Sequence, residues 1–154
     1  MDYRSRMIMA NPPASEADID ALAAQVGAAL PEDYKAFLRQ ASGGRVRDDK
    51  VRVPKSGDTV LNDLASATPG TEPNILEDYG MLRDMDRIPA ASLPIGDDPA
   101  GNAFLLSLEP DSHGAIFFWD HEREAPDGGS RFADFSNVEK IAGSFSDFIN
   151  ALRA

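Results

Sequence analysis

At 154 residues the chain fits one domain with a hydrophobic core of its own, and its 42% apolar content is that of a globular protein with much loop. No run approaches the roughly 18 apolar residues of a membrane span. The absence of cysteine excludes disulfides, thiolate metal sites and a cysteine nucleophile, and a formal net charge of −11 argues against nucleic-acid binding, which rests on phosphate neutralisation.

Residues 1–14 show no period and contain Asn11-Pro12-Pro13, so a flexible or edge-packed lead-in is expected before a single domain over 15–154. Met1–Ala10 carries charge but no signal-peptide apolar stretch, which makes the cytoplasm the expected location. Ser15-x-x-Asp18 is a variant capping box that opens a helix. Ile19, Leu22, Ala23 and Val26 form its apolar stripe, and Gly27 suits the left-handed end. Pro31 opens a second helix, with Tyr34, Phe37, Leu38 and Ala41 as its stripe and Ser42-Gly43-Gly44 as its stop.

Arg45–Pro54 alternates imperfectly as a strand, and Lys55–Pro73 is the least readable stretch and the expected site of mobility. Asn74–Asp86 reads as a helix that Ile88-Pro89 ends. Ser92–Ile95 is a short strand, with Pro94 suited to an edge, and Gly96–Gly101 is a turn. Asn102–Leu108 and Ala115–Asp120 then form a hairpin whose near-continuous apolar character requires cover on both faces. Arg131–Phe135 fits a further strand. Ile141, Phe145, Phe148, Ile149 and Leu152 share one face of a closing helix, whose final part Ser144-x-x-Asp147 caps.

Charge is unevenly placed. Leu93–Ser136 holds nine acids against Arg123 and Arg131, a net of −7, whereas Arg45–Lys55 holds five bases and two acids. The acidic part favours a basic partner or serves solubility. Asp97, Asp98 and Asn102 offer oxygens to a hard cation, but their spacing is not that of a calcium loop, and Asp in a Gly-bounded turn ordinarily bonds nearby backbone N–H groups. Gly96, Gly101 and Asn102 are accordingly read as turn-forming residues. Asp120-His121-Glu122 ends an apolar strand, where neighbouring side chains point to opposite faces and do not converge on one ion. The other histidine, His113, lies at the far end of that strand. No nucleophile elbow and no phosphate loop followed by Lys are present. Phe117, Phe118 and Trp119 lack the basic neighbours of a nucleic-acid stacking platform.

Several segments together resemble one family. Leu30-Pro31-Glu32-Asp33-Tyr34-Lys35-Ala36-Phe37-Leu38 with Ser42-Gly43-Gly44 resembles the opening signature of the SUKH superfamily, which holds bacterial immunity proteins and fungal cell-wall synthesis regulators. Leu93-Pro94-Ile95-Gly96-Asp97-Asp98 with Gly101-Asn102 is similar to its second signature, and Ile116–Glu122 to its next strand. Ile141–Ile149 resembles its closing helix. The match spans about residues 15–152 and is poor over 50–90; the turn here is Gly-Asp-Asp-Pro-Ala-Gly, not the usual Gly-Asp-Gly-Gly type.

Composition and pattern lead to an α+β domain: a mixed or antiparallel sheet of about four to six strands under two N-terminal helices and a C-terminal helix. The resemblance implies a protein-binding role without catalytic centre or cofactor, most often neutralisation of a toxin, commonly a nuclease, by occlusion. Asp97, Asp98, Asp120, Glu122, Glu124 and Asp127 are the expected partner-contacting acids. The alternatives are a regulatory or scaffolding domain without a toxin, and a metal-dependent enzyme using Asp97, Asp98, His121 and Glu122.

Overall fold

The first helix is set by its cap. In a computed structural model describing residues 1–123 and 129–154, Asp18 N donates to Ser15 Oγ at 3.0 Å and Ser15 N to Asp18 Oδ2 at 3.4 Å. Helix α1 then runs Glu16–Val26 and ends at Gly27 with φ +73°. Helix α2, Glu32–Gln40, follows Pro31 and packs against it.

In place of the flexible lead-in expected for residues 1–14, Met7–Ala10 form strand β1, paired antiparallel with β2, Gly44–Val46. The physical reason is the apolar side of this segment: Tyr3 and Met7 are buried, and the Tyr3 hydroxyl lies 2.8 Å from Ser146 Oγ. β3, Lys50–Val51, pairs with β4, Thr59–Val60. Helix α3, Ile75–Asp84, is capped by Asn74, whose Oδ1 accepts from Leu76 N and Glu77 N.

The second half builds a four-stranded antiparallel sheet in the order β5 (Ser92–Asp97), β6 (Ala103–Ser107), β7 (Ile116–Trp119), β8 (Val138–Ala142). Helix α4, Phe145–Ala151, follows. Leu64 bridges Gly44 of β2 and Gly96 of β5, and its neighbours Asn62, Asp63 and Ala65 bond the backbone of β5, so this part of the 55–73 segment joins the two sheets. That segment, expected to be mobile, buries Leu61, Leu64, Ala65 and Ala67.

Alternation along β6 and β7 explains their continuous apolar sequence. Phe104, Leu106, Ile116 and Phe118 join one core cluster; Ala103, Leu105 and Trp119 join another, against which Phe117 packs. On the first face α2 and α4 nest Tyr34, Phe37 and Phe145 around Tyr3, with ring centroids 5.0–6.1 Å apart. Each such buried ring contributes about 1.5–3 kcal/mol. On the second face lie Leu82 of α3, Ile88 and Phe132. The cover is therefore wider than the expected N-terminal pair and C-terminal helix: α3 supplies the second layer.

Two elements differ from expectation. Arg131–Phe135 holds a 3-10 turn at Phe132–Asp134, not a strand, because Asp134 Oδ2 accepts from Ser130 N and Arg131 N and curls the chain. Ile141 belongs to β8, not to the closing helix; that helix begins only after Ser144, whose Oγ accepts from Asp147 N at 3.1 Å.

Candidate functional site

Asp98 organises the turn between β5 and β6. One carboxylate oxygen accepts from Ala100 N (3.0 Å) and Asn102 N (2.8 Å), the other from Asn102 Nδ2 (3.0 Å) and Thr59 Oγ1 (2.9 Å). With four donors and 4% exposure it offers no surface to a partner, which corrects its expected place among the contact acids. The charge is tolerable inside because charge-assisted bonds replace its hydration. Gly101 has φ +90° and lets the chain close at Asn102. Gly96 lies within β5 without a positive φ. Its value is closeness: a Cβ there would sit 3.0 Å from Asp63 O and 3.0 Å from Leu61 Cδ1.

Asn102 carries the turn onto the neighbouring strand end, since its Oδ1 accepts from His121 N at 3.1 Å. The His121 ring lies over Gly101, with Nε2 buried and unpartnered among the described residues. Asp120 is half-buried; its Oδ1 accepts from Glu122 N and its Oδ2 lies 3.7 Å from Arg123 Nε. Glu122 is exposed. Glu124 and Asp127 lie outside the described residues. Among the described residues no group of three or more His, Asp or Glu is arranged to hold a metal ion.

Asp97 is half-buried and accepts from Asp63 N at 3.2 Å. Burial pushes its carboxyl above the usual carboxylate range, and the nearby Asp63 and Asp98 charges add to that. Across a cleft of about 230 Å³, Asp78 of α3 is raised likewise, first by burial and then by the charges of Asp97 and Glu77. No cation of the described residues forms an ion pair with Asp78 or Asp97. The cation that lines the cleft, Arg87, is held elsewhere: its guanidinium carbon sits 5.0 Å over the Trp119 ring, and Nη2 donates to His121 O at 3.0 Å. Met81 of α3 and Met85, the residue that ends it, are exposed by 57% and 60%.

Sequence reasoning passed over Asp78, Arg87 and Met81. The available signal was that Asp78, Met81 and Met85 recur at i, i+3, i+7, a second stripe beside the buried Ile75 and Leu82.

The chain is thus a small α+β domain with a carboxylate-lined cleft. The model of the SMI1/KNR4 family (SUKH-1) matches residues 13–151, and the chain belongs to that family. It is 30% identical over 142 residues to the SPbeta prophage-derived uncharacterized protein YokK of Bacillus subtilis (strain 168), across 82% of this chain and 68% of that protein. Membership supports a protein-interaction domain of the immunity or regulatory type. No helix among the described residues is long and apolar enough to cross a membrane.

Proposed function

We propose that the chain is an immunity-type protein that binds a basic toxin domain and occludes its active site, acting in the cytoplasm of the producing cell. The observation that carries this reading is the Asp78–Asp97 cleft. Two carboxylates are kept partly dehydrated, near each other and without a cation of their own. A lysine or arginine entering the cleft supplies the missing charge, and its aliphatic stem rests against the methionine side of α3. Asp120 and Glu122 flank His121, which lines the cleft, and would add to its negative charge; such complementarity speeds encounter and excludes acidic partners.

The experiment is capture of the partner from the native host, then stopped-flow association with the purified pair. Association is expected to slow markedly as salt rises, because the Debye length shrinks to about 8 Å at 0.15 M. Neutralising Asp78 and Asp97 to Asn should slow it and flatten its salt dependence. An association rate indifferent to both changes, or a partner that is itself acidic, would reject the reading. Capture of a partner that is not a toxin would leave the acidic cleft in use and assign it to a regulatory complex.

A further inference from the structure

At the opposite end of the sheet the charge is reversed. β8 is the end strand, paired only with β7. Beside it runs a groove of about 360 Å³, bounded on the far side by Val51–Pro54 and by the segment after α4. Arg153 there is fixed by backbone pairing with Lys50, N to O at 3.1 Å and 2.9 Å. The floor is apolar, from Ile141, Phe148 and Leu152, and the rim carries Arg52, Lys140 and Arg153.

No carboxylate lines this groove, although the chain has 26 acidic residues against 15 basic ones. Arg52 and Lys140 are exposed and form no ion pair or side-chain hydrogen bond among the described residues. Arg153 Nη2 is held 3.3 Å from Asp58 Oδ2. Glu139 of β8 is already engaged by Lys55 N and Ser56 N. A sheet edge bonded to no further strand, an apolar floor, and two rim cations without ion pairs, Arg52 and Lys140, call for one kind of occupant. It supplies backbone donors and acceptors to the edge, apolar side chains to the floor and carboxylates to the rim.

We infer that the groove beside β8 binds an extended acidic peptide segment, alternating apolar and acidic residues, by strand addition to the free edge of the sheet. Main-chain bonds to β8 provide affinity; alternation provides selectivity, since successive side chains of a strand point to opposite sides. The inference does not rest on the acidic cleft, which uses other residues and takes the opposite charge.

The test uses the full chain and a fluorescein-labelled peptide of about ten residues, the upper length of common strands, with leucine and glutamate alternating. A leucine–lysine peptide of equal length is the control. Fluorescence anisotropy should show binding of the glutamate peptide that weakens by about tenfold or more in R52E/K140E. The double variant D78N/D97N should bind it as the unsubstituted protein does. Amide shifts of isotopically labelled protein should gather in 138–142, 51–54 and 151–153. Both reversed positions are exposed, and an unchanged thermal midpoint verifies the fold; R52Q/K140Q serves if the reversal unfolds the chain. Equal binding of the two peptides, an affinity unmoved by the rim substitutions, or shifts confined to the acidic cleft would overturn the inference.

Discussion

Thr59 and Asp98 are 39 residues apart in sequence, yet the threonine hydroxyl donates to the buried carboxylate at 2.9 Å. This bond ties the short β3–β4 ribbon to the turn between β5 and β6. Asp98→Ala strands four donors that have no other acceptor of equal strength, and a loss of about 2 kcal/mol or more is expected. Thr59→Val removes one donor and should cost about 1 kcal/mol. Urea denaturation measures both. Near-equal stability of Asp98→Ala and the unsubstituted protein would show that the turn does not depend on its carboxylate.

Gly101 in the turn and Gly96 in β5 should respond for different reasons. Gly101 has φ +90°, and a Cβ there would meet His121 Nε2 at 3.3 Å, so Gly101→Ala should cost about 1 kcal/mol or more, through backbone strain and the contact with that ring. Gly96→Ala is strained by its neighbours, since the new methyl meets Asp63 O and Leu61 Cδ1 at 3.0 Å, and asparagine there should be worse than alanine. Thermal melts measure these losses, and an unchanged midpoint for either alanine variant would contradict the account.

Asp97 gives a pH dependence with a definite sign. Its folded carboxyl is raised above the ordinary 3.8, chiefly by burial, so as pH falls the native chain takes up the proton before the unfolded chain does. The group therefore costs stability above its raised value, and that cost is relieved as pH falls through the window down to 3.8. Asp97→Asn should match or exceed the unsubstituted protein in thermal midpoint at neutral pH, with the gap closing on acidification. Asp78→Asn should behave alike. Because the Asp97 charge helps to raise Asp78, the double variant should gain less than the two single gains together. A neutral-pH loss in both single variants would contradict the account.

A chelator should leave the melting curve unchanged, since among the described residues no set of three or more donors faces a common point. A drop of several degrees on adding EDTA would reveal a bound cation, and ligand substitutions at Glu122, Glu124 and Asp127 would then locate it.

Where local rules dominate, the fold is legible in the sequence. Ser15, Asp18 and Gly27 bound α1 because caps are short-range geometry. The apolar runs of β6 and β7 require two covered faces because side chains alternate. The boundary between β8 and α4 is not legible in this way: Ile141 stands at helical spacing from Phe145 and Phe148, and only β7 alongside makes it a strand residue. The burial of Asp98 is equally remote from sequence, because its outer oxygen is satisfied by Thr59. The cleft required two acids from separate elements, Asp78 and Asp97, of which the turn motif exposed one. Leu64, in the segment least readable from composition, owes its role to the bare backbones of Gly44 and Gly96 on either side.

That last arrangement has a kinetic consequence. Leu64 N donates to Gly44 O at 2.8 Å and Gly44 N to Leu64 O at 2.9 Å, while the flanking Asp63 O accepts from Asp97 N at 3.1 Å and Ala65 N donates to Ile95 O at 2.8 Å, so residues 63–65 are a seam between the N-terminal ribbon and the four-stranded sheet. Neither half can open at this point without parting those bonds, and Leu64 itself is buried. In native-state hydrogen exchange the Leu64 and Gly44 amides should therefore exchange only with global unfolding, as slowly as the central strands, although neither lies in the middle of a long element.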